Sequence, residues 1–357
     1  MNLAIYAGPS ALSQLLDTGL VADDFDVMLG ASGGPKWFTL YGLDKVLVPE
    51  FFKGRSKTLD LVGSSAGAFR FACLTQAQPL KALDVLAQEY AQTAYSSKRP
   101  SMDEVTESVT SLLDKMLGET GSEEISSNPV FKAHLIAVKC YGLLASERKA
   151  SLSLGLAKSA AKNAISRQKL RTYFSRAVFS TPESDLQILD PSGFETQFVD
   201  LNANNVKDVL VASGSIPGII HGVRNIEGAD EGMYRDGGVL DYHFDLQFPN
   251  RKGLTLYPHF YPKPVPGWFD KFTKRRPHAA SYDKVVMLAP SESYVAQLPF
   301  GKISDRNDYS KISKDERIAY WKTVLKEGDK LADDFKRLQD DVELLRKHIQ
   351  PLPFATK

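Results

Sequence analysis

Apolar positions in the first ninety residues form short continuous runs that alternate with segments of helical spacing. The runs 1–7, 25–29 and 58–62 each end at a glycine, as buried strands do when a tight turn follows. The segments 10–16 and 68–75 have helical character, and a helical pattern also follows the second run as far as residue 47. This alternation predicts an α/β fold, with a mainly parallel sheet covered by helices on both faces.

The pattern changes after residue 91. Residues 92–128 are polar and helical, 132–142 resemble another buried strand, and 152–169 carry apolar residues at helical spacing with cations between them. Such a basic helix can lie on an anionic membrane surface, but it more often covers a core. We expect one α/β domain over residues 1–300, with a helical insertion at about 92–170.

Residues 314–348 predict one long helix, because large apolar residues recur there at steps of three and four. The spacing is compatible with packing on the domain or with a coiled coil. Packing is the simpler interpretation. Residues 301–357 are therefore predicted to form a C-terminal helical extension packed on the domain.

Composition narrows the classes of function. The chain has 357 residues, of which 43% are hydrophobic, and its formal net charge is +1, so nothing indicates a nucleic-acid partner. Cys73 and Cys140 are too few for a disulfide framework, and no His, Cys or carboxylate cluster has the spacing of metal ligands. The start lacks the positive region of a signal peptide, and no apolar stretch is long enough to span a membrane. A cytoplasmic protein without a cofactor is expected.

The first candidate for chemistry is a serine between glycines. Gly63-Ser64-Ser65-Ala66-Gly67 follows a predicted strand and precedes a predicted helix. A Gly-x-Ser-x-Gly turn in this context lifts the serine hydroxyl away from its own backbone and exposes it as a nucleophile. Ser65 is the candidate nucleophile.

An upstream loop has the features of an anion site. Gly33 and Gly34 lie between the strand 25–29 and a helical segment, and Pro35 suits the first position of a helix. Free amides at a helix start stabilise an anion, which in acyl transfer is the oxygen of the tetrahedral intermediate. A mononucleotide loop would need Gly-Lys-Ser/Thr, and the sequence here is Gly34-Pro35-Lys36-Trp37.

A downstream carboxylate completes the candidates. Asp236 directly precedes Gly237 and Gly238. Asp-Gly is also a common turn signal, so this motif indicates a catalytic carboxylate only together with the other two segments.

Four segments together resemble the patatin-like phospholipase family, in the order that the family has them. They are the loop with Gly33, Gly34 and Lys36, the serine turn Gly63-Ser64-Ser65-Ala66-Gly67, the segment Ala212-Ser213-Gly214-Ser215-Ile216-Pro217-Gly218, and Asp236-Gly237-Gly238. The resemblance implies a three-layer α/β/α fold and hydrolysis of phospholipids or other acyl lipids through an acyl-serine intermediate. It also implies Ser65 as nucleophile, Asp236 as base, the Gly33 and Gly34 amides as oxyanion donors, and no catalytic histidine or cofactor.

The loop departs from the family pattern at three positions. The family usually has Gly-Gly-Gly-x-Arg/Lys-Gly, whereas Ser32 replaces the first glycine, Trp37 replaces the last, and Pro35 lacks an amide hydrogen. A differently shaped loop is expected, and with it a different substrate preference.

Two alternatives remain open from the sequence. The chain order also permits a Ser-His-Asp carboxylesterase using Ser65, Asp236 and either His243 or His259. A lone histidine among aromatic residues is more often structural. The second alternative is a lipid-binding or regulatory protein whose altered loop does not support turnover.

Residues 266–277 are a candidate for peripheral membrane contact. Proline and glycine disfavour a regular element there. The segment has three large aromatic residues, Trp268, Phe269 and Phe272, and four cations, Lys271, Lys274, Arg275 and Arg276. Aromatic rings at the headgroup level with cations near anionic lipid would dock a lipid hydrolase. The alternative is that the rings pack against the protein while the cations face solvent.

Overall fold

The structure, a computed structural model, describes residues 1–354. The strands are β1 (Leu3–Ala7), β2 (Phe25–Gly30), β3 (Leu59–Ser64), β4 (Phe131–Cys140), β5 (Phe174–Ser180), β6 (Thr196–Asp200), β7 (Val223–Arg224), β8 (Met233–Asp236), β9 (Leu254–Pro258), β10 (Val285–Pro290) and β11 (Ile349–Pro351). The α-helices are α1 (Pro9–Thr18), α2 (Tyr41–Val46), α3 (Ala66–Leu74), α4 (Pro79–Gln92), α5 (Met102–Leu117), α6 (Gly121–Ser127), α7 (Lys149–Ile165), α8 (Val206–Gly214), α9 (Glu292–Gln297), α10 (Asp308–Lys311), α11 (Lys314–Glu327), α12 (Asp329–Asp340) and α13 (Val342–His348).

Shorter helical turns connect these elements. The 3₁₀ turns are Ala22–Asp24, Gly34–Leu40, Gly142–Ala145, Arg167–Thr172, Gly237–Val239, Trp268–Phe272, Ala279–Tyr282 and Pro299–Gly301, and Leu47–Phe51 is a π turn. The helix predicted to continue to residue 47 is therefore a 3₁₀ turn, the short α2 and the π turn in succession.

The strands form one sheet in the order β11-β1-β10-β9-β2-β3-β4-β5-β6, with β8 on β4 and β7 on β8. Six of the ten strand pairs are parallel. Helices flank this sheet, and the predicted α/β fold class is confirmed. The central strands β2 and β3 are buried at every position. Their sequences are therefore mostly continuous apolar runs, without the alternation of apolar and polar residues that a half-exposed strand has.

Strand β4 is long enough to carry two partners along one edge. Residues Phe131 to Ile136 pair in parallel with β3, and Ala137 to Cys140 pair antiparallel with β8. The other edge of β4 pairs antiparallel with β5. Since β3 and β8 run toward each other on the same edge, their carboxyl ends meet. β4 lies within the range 92–170, so the polypeptide predicted to be an insertion contributes a central strand.

The prediction of one helix over residues 314–348 is wrong, because the structure has three. Gly328 separates α11 from α12, and it lies against Gly42 of α2 so closely that a Cβ on Gly42 would be 2.2 Å from the Gly328 carbonyl oxygen. Asp341 separates α12 from α13, and its side chain accepts a hydrogen bond from the Leu344 amide as an N-cap. Three shorter helices can follow the curved surface of the domain, and the chain then adds β11 to the edge of the sheet. The last residues of the predicted extension, 355–357, lie outside the described residues.

No helix in the part of the chain described here is both long enough and apolar enough to cross a membrane.

Candidate active site

Ser65 occupies a strained turn between β3 and α3. Its backbone has φ 54° and ψ −123°, a conformation that non-glycine residues rarely adopt. The turn is tight because the motif glycines Gly63 and Gly67 face each other across it, where a Cβ on Gly63 would lie 2.7 Å from the backbone of Gly67. This geometry places Ser65 at the end of the strand, where it lines two cavities, as expected for a nucleophile turn.

Asp236 reaches Ser65 because their strands share an edge of β4. Ser64 pairs with Ile136 and Asp236 pairs with the next residue, Ala137. The sheet therefore brings together two residues 171 positions apart, and Ser65 Oγ donates a hydrogen bond of 2.9 Å to Asp236 Oδ2. The motif residue Gly237 lies against the Ile136 carbonyl, where a Cβ would be only 2.2 Å from the oxygen.

The Asp236 carboxylate is nearly inaccessible to solvent, with 6% of its surface exposed. Burial raises its pKa to about 6, although hydrogen bonds from the Gly238 amide and the Ser65 hydroxyl favour the charged form. The Gly238 amide binds the second oxygen, Oδ1, at 2.7 Å. A carboxylate with a pKa near the working pH is a better proton acceptor than a solvated one.

The segment 212–218 holds both residues by their backbones. Ser213 Oγ accepts a hydrogen bond from the Ser65 amide at 2.9 Å and donates one to the Ile136 carbonyl at 2.7 Å. The Ser215 carbonyl accepts a hydrogen bond from the Asp236 amide at 3.1 Å. This segment therefore fixes the relative position of the hydroxyl and the carboxylate.

Residues with free backbone amides line the cavities beside Ser65. Gly33, Gly34, Ser65 and Asp236 line one small cavity of about 30 Å³. Within residues 1–354, the amides of Gly33 and Gly34 have no acceptor, and neither does that of Ala66, the first residue of α3. Gly34 has φ 56°, which favours glycine at this turn. Ala66 is a further candidate oxyanion donor besides the two that the resemblance implies, because the residue after a nucleophilic serine commonly supplies one.

The three departures in the loop each have a structural role. Ser32 Oγ lies 2.6 Å from Ser64 Oγ, which donates to the Asp241 carbonyl, so Ser32 connects the loop to β3. The Pro35 carbonyl accepts a hydrogen bond of 2.6 Å from Ser304 Oγ. Trp37 is completely buried. The motif cation Lys36 does not reach the dyad by hydrogen bonding but pairs with Asp305.

A cavity of about 700 Å³ adjoins Ser65. Its walls are mainly aliphatic and aromatic, and among them are Phe69, Val105, Leu112, Ile216, Ile220 and Trp268. Exposed polar residues such as Lys98 also line it. A volume of this size is typical of sites that bind a largely apolar small molecule.

No histidine in the described part of the chain hydrogen-bonds to Ser65 Oγ. His243 accepts a hydrogen bond from the Val265 amide at 2.9 Å through Nδ1, and its ring stacks on Tyr242. Burial holds its pKa well below the usual range. His259 contacts the backbone of Tyr261 in the same way. The described residues therefore lack the hydrogen bond between the serine and an imidazole that a Ser-His-Asp triad requires.

A second Ser-His-Asp arrangement lies deep in the sheet. His134 contacts Ser180 Oγ at 2.8 Å and Asp60 at 2.9 Å, and Arg251 binds the other oxygen of Asp60 at 2.5 Å. The His134 and Asp60 side chains are completely buried. Because Asp60 already pairs with a cation, this network is a satisfied part of the core.

The segment 266–277 is only partly available for membrane contact. Phe272 is 87% exposed, whereas Phe269 is 5% exposed and packs 6.1 Å from the ring of Phe174. The expectation of an exposed Phe269 is therefore wrong. Asp270 explains the difference, because it is buried and pairs with Arg167 and Arg275, which fixes the segment to the body of the protein.

The other members of that segment have different surroundings. Trp268 is half-buried and lines both cavities at Ser65. Lys271 Nζ lies 3.7 Å from the centre of the Tyr242 ring. Lys274 and Arg276 are exposed.

Arg306 belongs to the site although no sequence pattern predicts it. It lines both the small cavity at Ser65 and the larger apolar one. Its Nη1 is buried and has no hydrogen-bond partner among residues 1–354. The local sequence Asp305-Arg306-Asn307 has no motif that would indicate a role, since its position depends on how the chain 301–312 folds over the loop.

Residues 1–354 contain no group of three or more His, Cys, Asp or Glu side chains arranged to hold a metal ion.

No family model matches the chain, and no curated protein matches it at a significant level. Among solved structures, the chain is similar to human GIVD cytosolic phospholipase A2, with 9% sequence identity and a TM-score of 0.36. That similarity covers 95% of this chain and 63% of the other, so the chain spans less than two thirds of the length of that structure. At this level of similarity, function has to be inferred from the geometry of the site.

Proposed function

We propose that the protein is a serine hydrolase that cleaves acyl esters of lipids, with Ser65 as nucleophile and Asp236 as general base. One observation carries the proposal: Ser65 Oγ lies 2.9 Å from the buried Asp236 carboxylate, at a cavity also lined by Gly33 and Gly34, whose amides have no hydrogen-bond acceptor within residues 1–354. A hydroxyl, a proton acceptor and oxyanion donors at one point are the components of acyl transfer.

In the proposed mechanism, Ser65 Oγ attacks the ester carbonyl carbon while its proton passes to Asp236. The carbonyl electrons move to the oxygen, and the amides of Gly33 and Gly34, with that of Ala66, stabilise the resulting oxyanion. Collapse of the intermediate expels the alcohol, which takes the proton from Asp236, and leaves an acyl group on Ser65. Water then attacks the acyl-serine while Asp236 accepts its proton, and the second tetrahedral intermediate collapses to release the fatty acid as Ser65 Oγ takes that proton back from Asp236.

The cavity beside Ser65 supports an acyl chain as the group that binds. Its aliphatic and aromatic walls would bury a hydrocarbon chain, which is favourable by about 25 cal/mol per Å² of apolar surface removed from water. Burial of the chain would also exclude water from Asp236 and strengthen its contacts with the reacting groups. Phospholipids and other acyl glycerolipids are the proposed substrates.

We also propose that the segment 266–277 makes peripheral contact with a membrane, through fewer residues than the sequence predicts. Lys271, Phe272, Lys274 and Arg276 are the members that are exposed on this segment, and Trp268 of the same segment lines the cavity. An aromatic ring inserted at the headgroup level would therefore bring the cavity close to the lipid.

The test is hydrolysis of a soluble short-chain p-nitrophenyl ester together with labelling by a fluorophosphonate. Ser65→Ala should lower kcat/KM by at least about 10³-fold and abolish labelling, because the nucleophile is removed. Ser310→Ala, a serine in the same cavity, is the matched control and should retain both. Labelling at any other serine, or equal hydrolysis by Ser65→Ala, would refute the proposal. A folded protein that binds lipid but is never labelled would favour the regulatory alternative.

A further inference from the structure

We propose that Arg306 is the anion-recognising residue of this site, and that the preferred substrate is an acyl ester carrying a phosphate group. The inference rests on the proposed function, because it names the substrate class of the same site. Arg306 lines the small cavity with Ser65 and Asp236 and also lines the larger apolar cavity.

The first observation is that Arg306 has no partner. Its Nη1 is buried, and within residues 1–354 no side-chain nitrogen of Arg306 makes a hydrogen bond or ion pair. A guanidinium stays charged at every physiological pH. Leaving such a charge half-buried and unpaired is unfavourable, and an anionic group supplied by a ligand would relieve this.

The second observation is that the neighbouring charges are already satisfied. Lys36, the basic residue of the loop, pairs with Asp305. Both oxygens of Asp236 are occupied, one by the Ser65 hydroxyl and one by the Gly238 amide. Asp305 and Asp236 therefore bind other groups, and the guanidinium of Arg306 is available to a ligand in the cavity.

The third observation is that Arg306 is held in place by its neighbours in sequence. Ser304 Oγ donates to the Pro35 carbonyl at 2.6 Å, and the Asp305 amide donates to Asp308 Oδ2 at 2.8 Å. The first contact attaches the segment to the loop with Gly33 and Gly34, and the second stabilises the segment itself, so the backbone of Arg306 is held beside the cavities. A backbone that is already ordered lowers the cost of binding a ligand through the side chain.

Phosphate fits this position for chemical reasons. A guanidinium binds phosphate through two parallel hydrogen bonds, with both charge and geometry matched. In a glycerophospholipid, only a short glycerol segment separates the acylated oxygen from the phosphate. Because Arg306 lines both cavities, an ester bound at Ser65 with its acyl chain in the apolar cavity would have its phosphate in the region that Arg306 lines.

The experiment compares two monomeric substrates with the same short acyl chains, a phosphatidic acid and the corresponding diacylglycerol, at pH 8. Arg306→Gln should lower kcat/KM for the phosphatidic acid by about 10- to 100-fold, the loss expected for a charge-assisted hydrogen bond, and leave that for the diacylglycerol within about threefold. Arg306→Lys should be intermediate, because it keeps the charge but loses the bidentate geometry. Lys53→Gln removes an exposed cation that lines neither cavity and should have little effect on either substrate.

A binding measurement separates this proposal from the proposed function. Trp268 lines both cavities, so a change in tryptophan fluorescence on adding dodecyl phosphate would report binding there. Arg306→Gln should weaken binding of dodecyl phosphate about tenfold or more and leave dodecanol binding unchanged. Inorganic phosphate should bind much more weakly than dodecyl phosphate if the anion is part of a lipid.

The possible results test the role of Arg306, the lipid assignment and the proposed hydrolase function separately. Equal losses on both substrates, or equal binding of dodecyl phosphate by wild type and Arg306→Gln, would overturn the role of Arg306. Inorganic phosphate binding as tightly as dodecyl phosphate would overturn the lipid assignment. If wild type and Ser65→Ala hydrolyse the esters equally while the binding difference persists, the proposed hydrolase function fails and the anion site remains.

Discussion

Gly67 lies against Gly30 so closely that a Cβ on Gly67 would be 1.8 Å from the Gly30 carbonyl oxygen. This contact places the first turn of α3 directly on β2. Since Ser65 immediately precedes α3, the close approach determines where its hydroxyl lies relative to Gly33 and Gly34 in the loop that follows β2.

Replacing Gly67 with alanine should therefore destabilise the fold by about 3 kcal/mol or more, because α3 or β2 must move to accommodate the methyl group. Gly54→Ala is the control: Gly54 has φ +74°, and a Cβ there would have no other atom within 4 Å. At that position only backbone strain of about 1–2 kcal/mol is expected. Chemical denaturation measures both, and equal effects would show that the contact with Gly30 is not tight.

The dyad makes a prediction that a triad does not. Asp236→Asn should lower kcat/KM by about 10³- to 10⁴-fold, because the amide cannot accept the Ser65 proton. His243→Gln keeps an acceptor for the Val265 amide and should retain activity within about threefold. For the wild type, kcat/KM should rise with pH and level off above about 6, the pKa of Asp236. Loss of activity in His243→Gln with normal folding would favour the triad.

The same carboxylate should make the protein less stable as the pH rises. Its pKa is raised from 3.8 to about 6 in the folded protein, so the folded state binds the proton more tightly than the unfolded state. Its contribution to the free energy of unfolding is therefore most favourable below about pH 4 and decreases as the pH rises through about 6.

Asp236→Asn should accordingly be more stable than the wild type at pH 8, by on the order of 1–3 kcal/mol, with the difference decreasing toward pH 4. Urea denaturation at the two pH values measures it. A variant equally destabilised at both values would mean that the hydrogen bonds of Asp236 outweigh the desolvation of its charge.

The parts of the fold and site that the sequence predicted depend on local patterns. Each of these patterns is shorter than ten residues: the apolar runs that form β2 and β3, and the glycines around Ser65. Such a short pattern is compatible with few other local conformations. The contact between Ser65 and Asp236 came from resemblance, because its cause is non-local: β3 and β8 share one edge of β4.

Other features could not be predicted because tertiary contacts decide them. Helical spacing continues through Gly328 and Asp341, yet contact with α2 and a new N-cap divide the helix. Phe269 lies in a segment whose composition suggests exposure, but the buried pair of Asp270 with Arg167 draws it inward. Arg306 has no sequence signature, since only the packing of its segment on the loop brings it to the cavity.

Membrane contact through the segment 266–277 predicts different roles for its two phenylalanines. Phe272→Ala should weaken binding to vesicles that contain anionic lipid and leave the free energy of unfolding nearly unchanged, because the ring is 87% exposed. Phe269→Ala should destabilise the protein by about 3–5 kcal/mol, since it empties a packed position in the smaller hydrophobic cluster.

Vesicle sedimentation and thermal unfolding on the same samples separate these effects. Hydrolysis of a soluble monomeric ester serves as the reference, because Phe272→Ala should leave it unchanged while lowering the rate on vesicles. The rate on vesicles should also fall with added salt, since Lys274 and Arg276 are exposed and interact with anionic headgroups through screened charges. If Phe272→Ala binds and hydrolyses vesicles as the wild type does, the exposed ring does not insert, and the segment serves only to line the cavity through Trp268.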